Sequence, residues 1–195
     1  KSGFPKSRNP EEVFICLKYL ILIREWFKEA QKVIPDFLSD IIIRCGNCYS
    51  ILSSSNKQFP LFNGSTEINH KDYDAFLKTL KYKFNNDAHE VGDLIKVKKK
   101  KFEFFVDCGN PPSNYYSKFY QAGCLSFELI SGKQKVICNS GYGKYLSNKL
   151  NALSRSTAAH STLYINDTSS CTFQKSKFIN KIYGNSLLEK HKVIN

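Results

Sequence analysis

The hydrophobic period of this chain changes once, between residues 85 and 94, and no other feature limits the fold as much. Before that point apolar residues recur at helical spacing. After it they fall into short runs rich in strand formers. A helical portion over 1–90 followed by a β portion over 91–195 predicts an α+β organisation.

The helical portion opens on Asn9-Pro10-Glu11-Glu12. Asn9 suits the cap, Pro10 suits the first helical position, and Glu12 is placed to reach back to the backbone N–H of the cap. Val13, Leu17, Leu20, Ile21 and Trp26 then form an apolar stripe, with Lys18, Arg24, Lys28 and Lys32 between them. Pro35-Asp36 opens a second helix through Phe37, Leu38, Ile41 and Ile42 that should end near Ser53. The segment 53–56 is a break, and Phe59 to Gly64 reads as an extended piece entering a turn. A weaker helical pattern runs from Asn69 to Phe84 through Tyr73, Phe76, Leu77 and Leu80. Two long amphipathic helices make a hairpin that needs further helices to pack on. With the opening Lys1 and the lack of any methionine, this suggests a fragment of a longer product.

The β portion predicts strands over 101–107, 124–130, 134–139, 161–166 and 172–182. A hairpin should turn at Ser131-Gly132-Lys133. Strands this short and this closely spaced suggest a sandwich. The lysine run over 96–101 leads directly into a strand. It reads more naturally as the solvated face of an edge strand than as a nucleic-acid patch.

Charge divides the chain at the same place. Residues 1–90 hold 13 Lys/Arg against 11 Asp/Glu, whereas residues 91–195 hold 16 against 6. The excess in the second half suggests an anionic partner: nucleic acid, acidic lipid or acidic polysaccharide. Seven cysteines without framework spacing predict free thiols, with Cys16, Cys124, Cys138 and Cys171 among apolar neighbours. Cys45-Gly46-Asn47-Cys48 has no second pair to complete a zinc ribbon, and it falls in a helical run. The apolar run Tyr19–Ile23 is broken at once by Arg24 and Glu25, so no membrane span is expected.

Several blocks, in order, resemble one family. They are Ser7-Arg8-Asn9-Pro10-Glu11, Leu61-Phe62-Asn63-Gly64 and Asp107-Cys108-Gly109-Asn110-Pro111-Pro112. Gly123-Cys124-Leu125-Ser126-Phe127-Glu128-Leu129, then Val136 to Gly141, follow. The last is Arg155-Ser156-Thr157-Ala158-Ala159-His160-Ser161-Thr162-Leu163, continuing through Ile165 to Ser170. Together they are similar to bacterial heparinase II/III-type polysaccharide lyases. The resemblance implies that 1–90 are the last helices of an α/α toroid and 91–195 the first part of an antiparallel β-sandwich.

It also implies β-elimination on acidic, uronate-containing polysaccharide. A base takes the C5 proton, the carboxylate is neutralised, and an acid assists the leaving oxygen. Histidine and tyrosine carry this in the family, across the cleft between toroid and sandwich. Here the pattern is broken. Phe119, Gln121 and Gly123 stand where the family has a His-x-His-x-Asp cluster, whose first histidine is catalytic and whose second binds zinc. Asn139 stands at the aspartate zinc ligand, and His160 alone matches a ligand position. A degenerate site of His160, Gln121 and Asn139 is expected to hold no zinc, and His160 then serves the sandwich core by hydrogen bonding. Lys1 to Pro5 keeps the glycine of an active-site stretch but neither its acid nor its histidine.

Tyr115, Tyr116 and Tyr120 are expected to stack on sugar. Tyrosine at its ordinary pKa near ~10 is a poor base without a cation beside it. Arg155 either pairs with a uronate carboxylate or makes an internal ion pair at a strand edge. Two functions therefore compete: a lyase or its inactive descendant, and a basic module that binds anionic glycan or nucleic acid without chemistry. No aromatic-basic signature of nucleic-acid recognition is present, which favours glycan. The sequons at Asn63 and Asn166 are incidental under the resemblance, which also points to the bacterial cell envelope or periplasm without excluding the cytoplasm.

Overall fold

The computed structural model describes residues 2–84, 87–143, 146–175 and 186–191. Helices α1 (Pro10–Glu29) and α2 (Asp36–Leu52) form the hairpin, and α3 (Lys71–Thr79) follows. Strands β1 (Glu90–Val91), β2 (Leu94–Lys99), β3 (Phe102–Asp107), β4 (Phe127–Ser131) and β5 (Gln134–Ile137) come next, then α4 (Asn148–Ser154), β6 (Cys171–Lys175) and β7 (Ser186–His191).

The start of α1 differs slightly from expectation. Asn9 Oδ1 caps by accepting the Glu11 amide at 2.8 Å. Glu12 does not reach the Asn9 amide. It accepts the Ser7 hydroxyl, whose oxygen in turn accepts the Asn9 N–H at 3.3 Å. Val13, Leu17 and Ile21 pack on Leu38, Ile42, Cys45 and Tyr49 of α2. Trp26 is not on that face: it is 61% exposed, beside exposed Tyr19 and Ile23. Helix α3 stops at Leu80, short of the expected Phe84, because Lys81 turns left-handed (φ 60°). Phe84 instead lies over Gly46, where a Cβ would meet its ring at 2.0 Å.

Strands β1 to β5 form one antiparallel sheet in chain order. The expected hairpin is present: Ser131 pairs with Gln134 across Gly132, which is left-handed at φ 63°. The lysine run falls on β2 and the turn into β3, and from Val97 onward the other edge of β2 has no strand partner among the described residues. Residues 161–166 are not a strand. Ser161 O accepts the Phe127 amide, Thr162 Oγ1 donates to Cys124 O, and Asn166 and Asp167 are both left-handed (φ 50°). The segment is spent tying off β4, and only an isolated bridge from Ile165 to Thr168 remains. The strand expected over 172–182 begins at Cys171 and pairs with β7 as far as Lys175; 176–182 lie outside the described residues.

The sheet has two chemically different faces. On one, Ile95, Val97, Phe104, Val106, Phe127 and Leu129 form an apolar surface without full cover, with Phe104 and Phe127 rings 5.6 Å apart. On the other, Leu94, Phe105 and Ile130 join the helical core, so one hydrophobic core runs across the 90/91 boundary. Acidic residues sit on this inner face: Glu103, Asp107 and Glu128, at 2%, 3% and 0% exposure. Each receives a donor from the segment after α2. Ser55 N reaches Glu103 at 2.8 Å, Leu61 N reaches Glu128 at 2.9 Å, and Asn63 Nδ2 reaches Asp107 at 2.6 Å. Buried carboxylates demand such partners, and backbone amides crossing a sheet demand acceptors.

The free thiols are distributed differently from expectation. Cys45, Cys48 and Cys171 are buried, whereas Cys16, Cys124 and Cys138 are exposed. Cys45 donates to Val13 O and Cys48 to Ser2 O, and burial pushes their pKa values up to about 12 and about 11. The pair packs α2 as neutral thiols.

Glu128→Ala should cost about 3 kcal/mol in urea unfolding, because Leu61 N, Asn139 N and Lys135 all lose a buried acceptor or counter-ion. A loss near zero would mean that water replaces the carboxylate. Glu103 gives a pH signature. Burial raises its pKa, but the Ser55 amide and the Lys98 and Lys96 ammoniums more than offset this and hold it below the ordinary range. Its contribution is full above the unfolded carboxyl value near ~4.3 and is lost as pH falls through the lowered folded value. In Glu103→Gln the melting temperature should fall less steeply over that acid window.

Candidate functional site

The site is built where the two portions meet. Arg8, left-handed at φ 62°, ends the segment before α1 and turns its guanidinium toward the sheet. Nη2 pairs with Asp107 Oδ1, and Nη1 donates to Gly92 O at 2.6 Å and lies 3.4 Å from Asp93. Asn63 Nδ2 donates both to Asp107 Oδ2 and to Arg8 O, at 2.6 and 3.1 Å. Gly109 donates its amide to Asp107 and lies against the guanidinium so closely that a Cβ would stand 2.0 Å from its carbon. Gly64, at φ 92°, lies against Phe119, where a Cβ would be 2.4 Å from the carbonyl oxygen. Four segments, around residues 8, 63, 92 and 107, are thereby locked around one buried ion pair.

Beside Arg8 opens a cleft of about 410 Å³ between the segment before α1 and the loop 110–116. Lys6 and Tyr116 face each other on its rim, the ammonium 5.3 Å from the ring centroid. Tyr115, 85% exposed, meets Tyr116 edge to face at 4.9 Å. The rim thus presents an accessible cation and two aromatic faces, a combination suited to an acidic sugar. Neither Lys6 nor Arg8 stood out in the sequence beyond the surrounding motif.

Two residues expected at this surface are elsewhere. Tyr120 is 2% exposed and packs with Ala122 and Cys171; burial raises its pKa, so it neither stacks on sugar nor acts as a base. Arg155 is also 2% exposed. It donates from Nε to Tyr120 O at 2.9 Å and from Nη2 to Ser117 O at 3.2 Å, with Phe173 stacked 4.1 Å away. Burial lowers its pKa to about 10, which leaves it a cation committed to holding this loop rather than a uronate.

Gln121 and His160 both bond the Ser154 backbone, and Asn139 holds the residue after His160. Gln121 Nε2 donates to Gly141 O at 2.7 Å and Ser154 O at 2.8 Å, and its Oε1 accepts the Gly64 amide at 3.0 Å. Asn139 Oδ1 accepts the Ser161 amide at 2.9 Å, next to His160, while Glu128 accepts the Asn139 amide. His160 Nε2 is buried without a hydrogen-bond partner. Burial brings its pKa down to about 4, against a hydrogen bond with the Ser154 backbone, so the ring is neutral at pH 7. One imidazole nitrogen beside two amides whose oxygens are already engaged does not suit zinc. Among the described residues no group of three His, Cys, Asp or Glu side chains could hold a metal. Phe119 is packed edge to face on Tyr142 at 5.2 Å, with the Lys118 ammonium 4.9 Å from its centroid, and has no proton to give.

The family profile described as heparinase II/III-like, C-terminal, matches residues 86–192, more than half of the chain. The fold is similar to that of a heparan sulfate lyase, HepC from Pedobacter heparinus, with TM-score 0.71 and 13% identity over 89% of this chain and 32% of that one. It is also similar to a heparinase III gene product with methylated lysines: TM-score 0.67, 13% identity, 90% of this chain and 32% of that one. A further heparinase III structure gives 0.63 and 14% over 91% and 35%. The chain spans about a third of these structures. No curated protein matches it.

Gln121→Ala should cost about 2 kcal/mol, because the Gly64 amide and the Gly141 and Ser154 carbonyls lose buried partners. Excess chelator should leave the melting temperature unchanged, and metal analysis of the purified protein should find no stoichiometric zinc. A chelator-induced drop that His160→Ala abolishes would overturn the reading of these amides.

Proposed function

Because the chain belongs to the heparinase II/III-like family, we propose that it binds acidic, uronate-containing polysaccharide and forms one wall of a lyase-type cleft. The observation that carries this is the Lys6–Tyr116 rim beside the buried Arg8–Asp107 pair. The ammonium meets a uronate carboxylate, Tyr115 and Tyr116 take the apolar faces of the sugar, and the ion pair holds the rim in place. Preorganisation of this kind lowers the ordering cost of binding.

The proton transfers of β-elimination are not carried by these residues. Phe119, Gln121 and Asn139 replace groups that would move a proton or hold zinc, and the buried Tyr120 and neutral His160 do not substitute for them. We propose further that residues 1–90 are the end of an α/α toroid and 91–195 the beginning of a sandwich. Support comes from the exposed Tyr19, Ile23 and Trp26 and from the partly covered apolar sheet face, which are surfaces that a longer chain would pack. Location in the bacterial cell envelope or periplasm, where such glycans are met, belongs to the same reading; nucleic acid is not the proposed partner.

Heparin, heparan sulfate and alginate oligosaccharides should bind with an affinity that falls as salt rises. Lys6→Ala and Tyr116→Ala should each weaken binding about tenfold, while Tyr120→Phe should not. No unsaturated uronate should accumulate by ultraviolet absorbance. Binding that ignores Lys6 and Tyr116 would sink the site. Product that depends on Tyr116 or Tyr120 would instead make these residues catalytic.

A further inference from the structure

A second cleft, of about 440 Å³, lies where the end of α2, the segment 53–57, α3 and the inner face of β2 and β3 converge. Its walls carry four lysines: Lys57, Lys78, Lys96 and Lys98. They face two carboxylates, Asp74 and Glu103, whose oxygens are already engaged. Asp74 accepts the Tyr49 hydroxyl at 2.6 Å and Lys57 at 2.8 Å. Glu103 accepts the Ser55 amide at 2.8 Å and pairs with Lys98 at 3.0 Å. Lys96 gives one hydrogen to Ser53 O at 2.6 Å and lies over the Phe105 ring. Lys78 is exposed and makes no ion pair among the described residues.

The balance of donors is one-sided. Each ammonium has three N–H groups and no acceptor. After the contacts above, most of those hydrogens remain free, while the two carboxylates are used. Ser54 and Ser55 hydroxyls on the same wall are turned to Gln58 O and Gly132 O. The counted side-chain charge of the cleft is four lysines against two acids, a net of +2. Burial lowers the Lys96 pKa and Lys98 adds to that, against the Glu103 carboxylate, so the cations here repel one another. An anion would relieve this.

We propose that this cleft is an oxyanion subsite, taking a sulfate or carboxylate group between Lys57, Lys78 and Lys98. It is separate from the Lys6–Tyr116 rim. Glu103 and Asp107, which mark the two sites, stand four residues apart on β3, about 13 Å. The inference does not rest on the glycan reading, since the cleft geometry and its surplus of donors carry it.

The test titrates sodium sulfate into the protein against sodium chloride at equal ionic strength, following melting temperature and the Ser55 amide resonance. Sulfate should raise the melting temperature and shift that resonance saturably. Lys78→Gln, which breaks no ion pair, should weaken the response about fivefold, and Lys78→Gln with Lys98→Gln more than tenfold. Lys133→Gln, on the hairpin turn, should leave it intact. Glucuronate and a sulfated disaccharide serve as parallel arms. Tighter binding of either sugar makes the cleft a glycan subsite, and binding of inorganic sulfate alone makes it a free-anion site. An equal response to chloride, or an unchanged response in Lys78→Gln, overturns the proposal. Lys6→Ala should keep the sulfate response, so failure of the rim and failure of this cleft are read separately.

Discussion

Glu103, Asp107 and Glu128 lie on the inner face of the sheet, and the segment 53–64 is laid across them by the Ser55 and Leu61 amides and the Asn63 side chain. That segment joins the helices to the sheet. Without acceptors beneath it, its part-buried amides would lose their partners, and without its donors the carboxylates would be buried charges. Each requires the other. The arrangement also fixes where Phe59 and Phe62 enter the core, at 1% and 2% exposure. Phe59 stands edge to face with Tyr49 and Phe14, so the aromatic packing of α1 and α2 depends on the same clasp.

A polar clasp of this kind favours one geometry over others more than it adds net stability. Replacing a buried charged pair with matched apolar groups is often neutral, whereas removing one partner is not. Consequences for function follow directly. Asp107 belongs both to the clasp and to the ion pair with Arg8, so the segment before α1, which carries Lys6, is placed by the sheet. The rim is therefore held by a buried network, although its own residues are on loops.

The amides at Gln121 and Asn139 serve as structural ties. Both join the segments near His160, through hydrogen bonds to carbonyls and amides. A carboxamide serves that purpose well because it both donates and accepts, and for the same reason its oxygen is not left free for a cation.

Much of the fold was legible locally. The cap at Asn9, the end of α2 at Ser53 and the turn at Gly132 each depend on the conformational preferences of a few adjacent residues, and all are where the sequence places them. The acidic residues on β3 and β4 were also readable in principle, since Glu103 and Asp107 share the alternate face with Phe105, where a charge needs a partner. The identity of those partners was not readable, because Ser55, Leu61 and Asn63 lie 44 to 67 residues away. The same reason separates Tyr116 from Tyr120. They are similar residues on one short loop, yet only the packing of Cys171 and Ala122 buries the second. Arg155 turns inward because Tyr120 O and Ser117 O are presented to it by that loop. Composition and period thus set the helical and β portions and most of their elements; which polar side chains face solvent was decided by contacts between residues that only the tertiary fold brings together.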